Sequence, residues 1–471
     1  QMRESIVSRR MILKLAPHNV KSLGCVIGNS GFGLQSNLVM RIGLMLNDCI
    51  AFDRNKGLDK KNRIPRGKIL SLPRCKELFP SLDWRGMTGA SLWHDAIALN
   101  SDRLILDFVK DAAGHGACVA NYVAMDELRV EDDRVTGCRA TDILHDDTFT
   151  INARIVVLAG GAWNNALLQT AEMEDAQPTH FAKAVNIIVK KPLADKYAFG
   201  LTGEVDYQDQ DAVFKKKGRF FFFVPWRGYT MIGTTYKRYE GSINQVRGER
   251  KDIEELLAEV NSIHPSAGLN FADVTNVHAG LLPLSSLAHD RNGNVQVEKE
   301  TVVMGEGERF SLPRRLLCVK SVKYTTAPVV AAQTCDRICR LLQHAGKRSA
   351  SVETRPLASM ENSLGRSPRF DYLENRYGSE AGVVSAFVQK NPEMNSINPI
   401  LCAGEIDYFI EEEMAFSVSD VVFRRSDLGT AECPPAEVLQ KIADYMGKRF
   451  AWNRERIAAE IEEATSHFVW S

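Results

Sequence analysis

The chain has 471 residues, 44% of them hydrophobic, with Lys+Arg and Asp+Glu both at 59 and so no formal net charge. That length accommodates two or three domains with sizeable cores, and the charge balance excludes the strongly basic character of a nucleic-acid binder. Ten cysteines are scattered without a C-x-x-C pair, which excludes a zinc ribbon, a redox dithiol or a secreted disulfide framework and fits a reducing cytoplasm.

The chain begins Gln1-Met2-Arg3-Glu4, already inside a helical pattern over 3–16 that Pro17 ends. This start, with neither an initiator methionine nor a targeting sequence, reads as a truncation. Residues 23–33 resemble a nucleotide fingerprint at first sight. Their glycines Gly28, Gly31 and Gly33 run G-x-x-G-x-G, the reverse of the phosphate-binding spacing, so a flexible loop is expected. An amphipathic helix is expected over 36–53, then a polar loop rich in Lys, Arg and Asn. A second helix, 102–116, has Ser101-Asp102 as its N-cap pair and ends at glycine. Residues 117–123 read as a strand, and 126–151 as a small antiparallel excursion.

At 154–163 the sequence R-I-V-V-L-A-G-G-A-W describes a strand buried on both faces that stops at a glycine turn, where a backbone can approach a ligand closely. Long alternating strands follow over 183–240, an antiparallel sheet able to wall a pocket. The basic cluster 215–219 reads as a solvated tip. Apolar runs such as 220–226 fall far short of the about 20 residues that span a bilayer. Residues 252–263 form an amphipathic helix that packs on the sheet. The α/β pattern returns at 316–342: a strand, a turn around Lys323-Tyr324-Thr325-Thr326, then a long helix with Pro328 near its first position. A helix N-terminus and a lysine there favour an anion or an electron-rich ring. Beyond Pro356 only helices are expected, notably over 405–425 and 436–468, as a separate module.

Eight motifs in this order carry a resemblance: His94-Asp95-Ala96, the helix to Gly116, Asn121-Tyr122-Val123, the A-G-G-A-W turn, F-x-P-W-x-G-x-T-x-I-G-T-T at 223–235, H-A-G-L-x-P-L at 278–284, K-Y-T-T at 323–326, and the 413–430 segment from Glu413 through Asp420 and Arg424-Arg425 to Leu428-Gly429-Thr430. Together they closely resemble the FAD-dependent glycerol-3-phosphate dehydrogenase family, within the D-amino-acid-oxidase-like FAD-dependent oxidoreductases. The resemblance implies an α/β (α+β) fold. An incomplete FAD-binding Rossmann-like domain would occupy 1–182 and resume at 311–350, an antiparallel-sheet substrate domain would occupy 183–310, and a helical cap module 351–471. It implies oxidation of glycerol 3-phosphate to dihydroxyacetone phosphate, or of a related small hydroxy compound, by hydride transfer to flavin. The alternatives are a flavin amine or amino-acid oxidase and a non-catalytic fragment unable to hold FAD.

By the same resemblance, Tyr122 and Val123 would lie beside the adenosine, and Ala159, Gly160, Gly161 and Trp163 against the pyrophosphate and ribose. Lys323, Tyr324 and Thr325 would meet the flavin ring and substrate, with Lys323 as the catalytic cation. No metal ligand is implied and no residue stands out as the base. A quinone is the implied electron acceptor, and the implied setting is cytoplasmic, with contact at the inner membrane at most peripheral. Three features depart from the family pattern. Its opening G-x-G-x-x-G βαβ unit is not found, so this polypeptide is expected to hold FAD weakly or not at all. The arginine expected to grip the substrate phosphate is Leu282, and the glycine pair before the lysine is Ser321-Val322.

Overall fold

The computed structural model describes residues 2–171, 179–203, 219–289, 295–306, 312–342, 368–390 and 401–470. In chain order the first stretch forms α1 (Met2–Leu15), β1 (Val20–Ser30), α2 (Asn37–Ile50), β2 (Lys68–Ser71), α3 (Leu72–Leu78), β3 (Met87–Ala98) and α4 (Ser101–Gly114). Next come β4 (Val123–Glu131), β5 (Arg134–Asp142), β6 (Asp147–Asn152), β7 (Val156–Leu158) and α5 (Asn164–Gln169). The central portion holds β8 (Phe181–Val189), β9 (Tyr197–Thr202), β10 (Phe220–Trp226), β11 (Tyr229–Tyr239), α6 (Arg250–Ile263), β12 (Val274–His289), β13 (Val295–Val297), β14 (Val302–Met304), β15 (Leu316–Lys320) and α7 (Ala327–Leu341). The chain closes with α8 (Pro368–Tyr377), α9 (Ala381–Lys390), α10 (Ala403–Glu413), α11 (Ala436–Phe450) and α12 (Arg454–Ser466). It is therefore a mixed α/β molecule with a helical C-terminal module, as the sequence pattern and the resemblance imply.

Nine strands form the main sheet in the order β13-β12-β8-β11-β10-β9-β1-β3-β2, antiparallel except for the β1–β9 pair. This sheet draws strands from both sides of residue 183. Residues 23–33, expected as a loop, lie largely in β1, which pairs with β3 along its whole length. Of the three glycines, Gly28 lies inside the strand, where a Cβ would come within 3.2 Å of Met87 Sδ, and a fourth, Gly24, leaves room for the Tyr197 ring on β9, 2.5 Å from where a Cβ would sit. Helix α6 covers one face with Ile253, Leu256, Leu257 and Val260, as its periodicity predicts. Beneath it Phe199 stacks on Phe223 at 4.5 Å, and His264 meets both rings edge-on.

Two small sheets complete the frame. β4, β5 and β6 form the expected antiparallel excursion. Residues 117–122 are not its first strand, because Tyr122 has φ +54 and breaks the extension just before Val123. β15 lies between β14 and β7 and runs parallel to β7. β7 is three residues long and only Leu158 is buried, so the expectation of burial on both faces is corrected: the edge of β7 away from β15 carries no partner strand among the described residues. The N-cap of α4 is Asn100, whose side chain accepts from the Arg103 N–H, one residue ahead of the expected pair. Residues 215–218 of the basic cluster lie outside the described residues, while Arg219 is ion-paired to Glu259 at 3.1 Å.

The helical module has its own core, in which Ile406, Phe409, Val418, Val421, Ile442 and Met446 are buried. It is pinned to the rest by polar contacts. Buried Arg103 donates to Glu413 at 2.7 Å with its guanidinium over the Tyr377 ring, and Lys110 donates to Glu380 and to the Tyr408 hydroxyl, each at 2.6 Å. On the sheet side, Asn276 donates to the Gly429 carbonyl at 2.9 Å and Thr275 to the Ala431 carbonyl at 2.7 Å.

Candidate active site

The parallel pairing Val157↔Leu317 and Leu158↔Cys318 brings the ends of β7 and β15 to the same edge. The turns that follow them, 159–163 and 321–326, therefore lie side by side, where open α/β sheets place ligands. Asn164 ties them together: its Oδ1 accepts from the Gly160 N–H at 2.8 Å and its Nδ2 donates to the Val319 carbonyl at 3.0 Å. The second turn leads into α7, with Pro328 in its first turn as expected.

Beyond these turns lies a cavity of about 1160 Å³. Its walls come from the start of α4 (Asn100, Ser101, Asp102), from β11 and β12, from the loop 241–249, and from the helical module and C-terminal segment. Two of the expected residues reach its rim. Trp163 donates through Nε1 to Asn244 Oδ1 at 2.6 Å, and Tyr324 donates its hydroxyl proton to the Ser101 carbonyl at 3.1 Å. Ala159, Gly160 and Gly161 are exposed at the first turn.

Other expected residues are engaged elsewhere. Lys323 is exposed and lines a separate cavity of about 290 Å³ with Glu4, Glu300 and Gln333. Thr325 is exposed in the short helical turn beside it. The Tyr122 hydroxyl donates to Asp420 Oδ2 at 2.7 Å in the helical module, and Val123 pairs with Asp142 in the small sheet. Leu282, on β12, pairs with Ala182 on β8, whereas the β12 stretch lining the large cavity is 276–279.

The residue that sequence reasoning quoted without a role is His278. It lines the cavity, and its Nε2 lies 3.1 Å from the Thr430 carbonyl oxygen, which can only accept. Nε2 therefore carries a proton and, in the neutral ring, Nδ1 carries the lone pair. Trp226 donates to the same carbonyl at 3.3 Å and meets the imidazole edge-on. Burial pushes the His278 pKa below its usual 6.5, outweighing the Thr430 contact and the nearby Asp102 carboxylate, so the ring is neutral at neutral pH. Arg247, on the loop 241–249, also lines the cavity.

The two turns have the features that a flavin nucleotide, the group the resemblance implies, would need. Gly161 has φ +59, and a Cβ there would meet nothing within 4 Å, so the turn is open backbone. The rings of Trp163 and Tyr324, 50% and 43% exposed, stand at the two turns. An open glycine turn next to a helix-initiating turn, with flat apolar groups at both, fits one side of a dinucleotide cradle.

Comparison with known proteins gives the same direction. The family model described as FAD dependent oxidoreductase matches residues 40–337, and that of the C-terminal domain of alpha-glycerophosphate oxidase matches 341–457. A glycerol-3-phosphate dehydrogenase of Synechocystis sp. is 25% identical over 496 residues, covering 98% of this chain and 84% of the relative. An alpha-glycerophosphate oxidase of Streptococcus pneumoniae is 24% identical, covering 98% of this chain and 85% of the relative. The X-ray structure of the glycerol-3-phosphate dehydrogenase from Bacillus halodurans complexed with FAD shares the fold, with a TM-score of 0.73 at 20% identity over 98% of this chain and 84% of that one. The first of these matches takes in both βα turns and nearly all of the sheet that backs the cavity, more than half of the sequence, and on that ground the chain belongs to the FAD-dependent oxidoreductases, whose cofactor is FAD.

Proposed function

We propose that the chain oxidises glycerol 3-phosphate, or a closely related small hydroxy compound, with His278 accepting the hydroxyl proton. The names of the relatives supply the substrate class, and the neutral, cavity-facing imidazole carries the chemistry. Bound FAD supplies the hydride acceptor. The turns at Ala159–Gly161 and Lys323–Thr325, with Trp163 and Tyr324, would hold it beside the cavity, and the backbone at Tyr122-Val123 would serve its adenosine end. Lys323, one residue before Tyr324, would have to swing out of the smaller cavity it lines to bring positive charge to the flavin.

The substrate occupies the cavity over β11 and β12. His278 Nδ1 would take the hydroxyl proton of the alcohol, and with a hydride acceptor bound the loss of one proton and one hydride leaves a carbonyl. Since Leu282 cannot bind a phosphate, Arg247 takes the anionic end of the substrate. Residues 1–182 and 311–350 serve the cofactor and 183–310 cover the substrate, the strands of 20–98 being shared into that cover, while 351–471 close the far wall. The electron acceptor in this reading is a quinone, met at a membrane surface that the chain touches only peripherally; none of the described helices is long and apolar enough to cross a bilayer.

The test is anaerobic reduction of the FAD-reconstituted chain by glycerol 3-phosphate, glycerol, small hydroxy acids and amino acids. Loss of the flavin absorbance at about 450 nm with glycerol 3-phosphate or a hydroxy compound is expected. Reduction by amino acids alone, or by nothing on the panel with FAD bound, overturns the reading.

A further inference from the structure

The small sheet of β4, β5 and β6 ends in an open edge. β6 pairs with β5 along its whole length, and no strand lies on its other side among the described residues. All of its residues are exposed. An unpaired edge offers a row of N–H and C=O groups to any second strand, and folds ordinarily blunt it with charge, proline, a bulge or shortness. The other sheet edges here are blunted. β4 carries Asp126, Glu127 and Arg129 and two register shifts, β2 is four residues long and opens on Lys68, and β7, β13 and β14 have three residues each. Between Asp147 and Arg154, by contrast, the chain reads T-F-T-I-N-A, without charge, proline or bulge and rich in β-branched and aromatic residues. Phe149 and Ile151 are 41% and 42% exposed, on the face that buries Ala140 and Cys138 of β5 directly opposite them.

The bonds already made fix which groups the edge offers. The Ala153 N–H donates to the Thr136 carbonyl at 2.9 Å, and successive residues of an antiparallel strand turn their main-chain groups alternately toward and away from the partner. Phe149, Ile151 and Ala153 therefore face β5, and Thr148, Thr150 and Asn152 turn N–H and C=O to the open side. Two copies of this edge related by a two-fold axis must place one residue opposite itself. With Thr150 on the axis, Thr148 of each copy meets Asn152 of the other, and all three outward residues exchange both hydrogen bonds. The same register sets Phe149 beside Ile151 across the seam. It also brings Asp146, in the turn that leads into β6, level with Arg154 just past its end. Both are exposed, and neither makes an ion pair among the described residues.

We propose that the free edge of β6 is a contact between two copies of the chain, paired antiparallel about Thr150 so that their small sheets join into one. The placement of charge selects a second copy in this orientation. An acid at one end and a base at the other meet their opposites when the same sequence runs antiparallel, whereas a parallel mate would set Asp146 against Asp146 and Arg154 against Arg154. The apolar pair of Phe149 and Ile151, repeated on both sides of the axis, extends the buried face of β5 across the seam. A strand of this length spans about 20 Å, so the contact is small and the dimer reversible. None of residues 143–154 lines the large cavity, and the inference is independent of the substrate.

Sedimentation velocity on the full chain, over roughly 1–100 μM, is the test. The mass is expected to rise from one chain toward two across that range. Thr150→Pro removes an N–H that β5 does not use and is expected to weaken the dimer roughly tenfold or more, with unchanged circular dichroism. Arg154→Asp sets two acids together at each end and weakens it comparably; adding Asp146→Arg to that variant is expected to restore association to within about threefold of the unmodified chain. Amide hydrogen exchange gives the register directly: Thr148, Thr150 and Asn152 should gain protection as concentration rises, while Phe149 and Ile151 are protected throughout. A chain that stays monomeric over the whole range overturns the proposal, as does a dimer indifferent to Thr150→Pro. Loss in Arg154→Asp that the second exchange fails to recover overturns the two-fold register. Protection of Thr148, Thr150 and Asn152 already in the dilute monomer assigns the edge to another segment of the same chain and overturns the proposal as well.

Discussion

His278 and the buried pair Arg103–Glu413 show what single residues decide here. For His278 the working form is the neutral ring, and burial lowers its pKa below the usual 6.5. The base is therefore ready at neutral pH, and kcat/KM for the hydroxy substrate is expected to stay level until the pH falls below about 6.5, then drop. His278→Asn keeps the size of the side chain but has no comparable base, and is expected to cut kcat by about 10²–10⁴ and flatten that acid limb. A pH profile of flavin reduction rates checks both. Arg103 makes a different case. Its Nη1 reaches both Glu413 oxygens, at 2.6 and 2.7 Å, while its Nε and Nη2 have no hydrogen-bond acceptor and the Tyr377 ring covers the guanidinium. Glu413→Ala strands a buried cation and is expected to cost about 3–5 kcal/mol, read as a lower urea midpoint. Replacing both partners by Met and Leu is expected to recover most of that loss.

At the scale of elements, Asp420 opens the short helical segment Asp420–Arg425 and receives the N–H groups of Phe416 and Ser417 together with the Tyr122 hydroxyl. Burial pushes its carboxyl up, but Arg424, the Phe416 N–H and Tyr122 outweigh it and hold the pKa below the usual 3.8. A carboxylate whose folded pKa is depressed stabilises the fold fully above the unfolded value, and that stability is lost as pH falls through the folded one. The urea midpoint should thus decline below about pH 4, and Asp420→Asn should lower the neutral-pH midpoint while weakening that decline. At the glycine turn, Gly161→Ala meets no atom, so its cost is backbone alone, about 1–2 kcal/mol for an L-residue at φ +59. Thermal unfolding measures it, and loss of FAD affinity beyond that cost would show the turn touching the cofactor.

Periodicity made helices such as α6, α7 and α11 legible, together with strands β8 and β11, because their apolar residues recur at the element's own period. It failed at β1, where a glycine answers a tyrosine from another strand, and at 117–122, where one positive φ ends extension; both are tertiary facts. Trp163 and Tyr324 stand on turns that the sequence marks, but their role at a cofactor came from the resemblance and not from the turns. The partners that define the cavity were not legible in the sequence: His278 meets Thr430 across 152 positions and Trp163 meets Asn244 across 81. Helix α2, expected to be amphipathic, leaves Leu38, Ile42, Met45 and Leu46 exposed, because sequence alone does not say which face the sheet takes.

Across the whole molecule, the helical module is bound to the α4 side through Glu413, Glu380 and Asp420 and to the sheet through the carbonyls of 429–431. These contacts should make unfolding of module and sheet coincide. Tryptophan fluorescence and far-UV circular dichroism are expected to follow one urea transition in the unmodified chain and two in Glu413→Ala; two transitions in both would show the module to be energetically independent. The carbonyl of Thr430 carries a further consequence for how such a chain can drift. Every amino acid presents the same main-chain oxygen, so the tautomer of the imidazole is inherited through the path of a loop and not through the identity of any residue in it. Exchanges at 430 that leave the turn in place are then neutral for proton transfer, while a one-residue insertion or deletion between 426 and 432 is not.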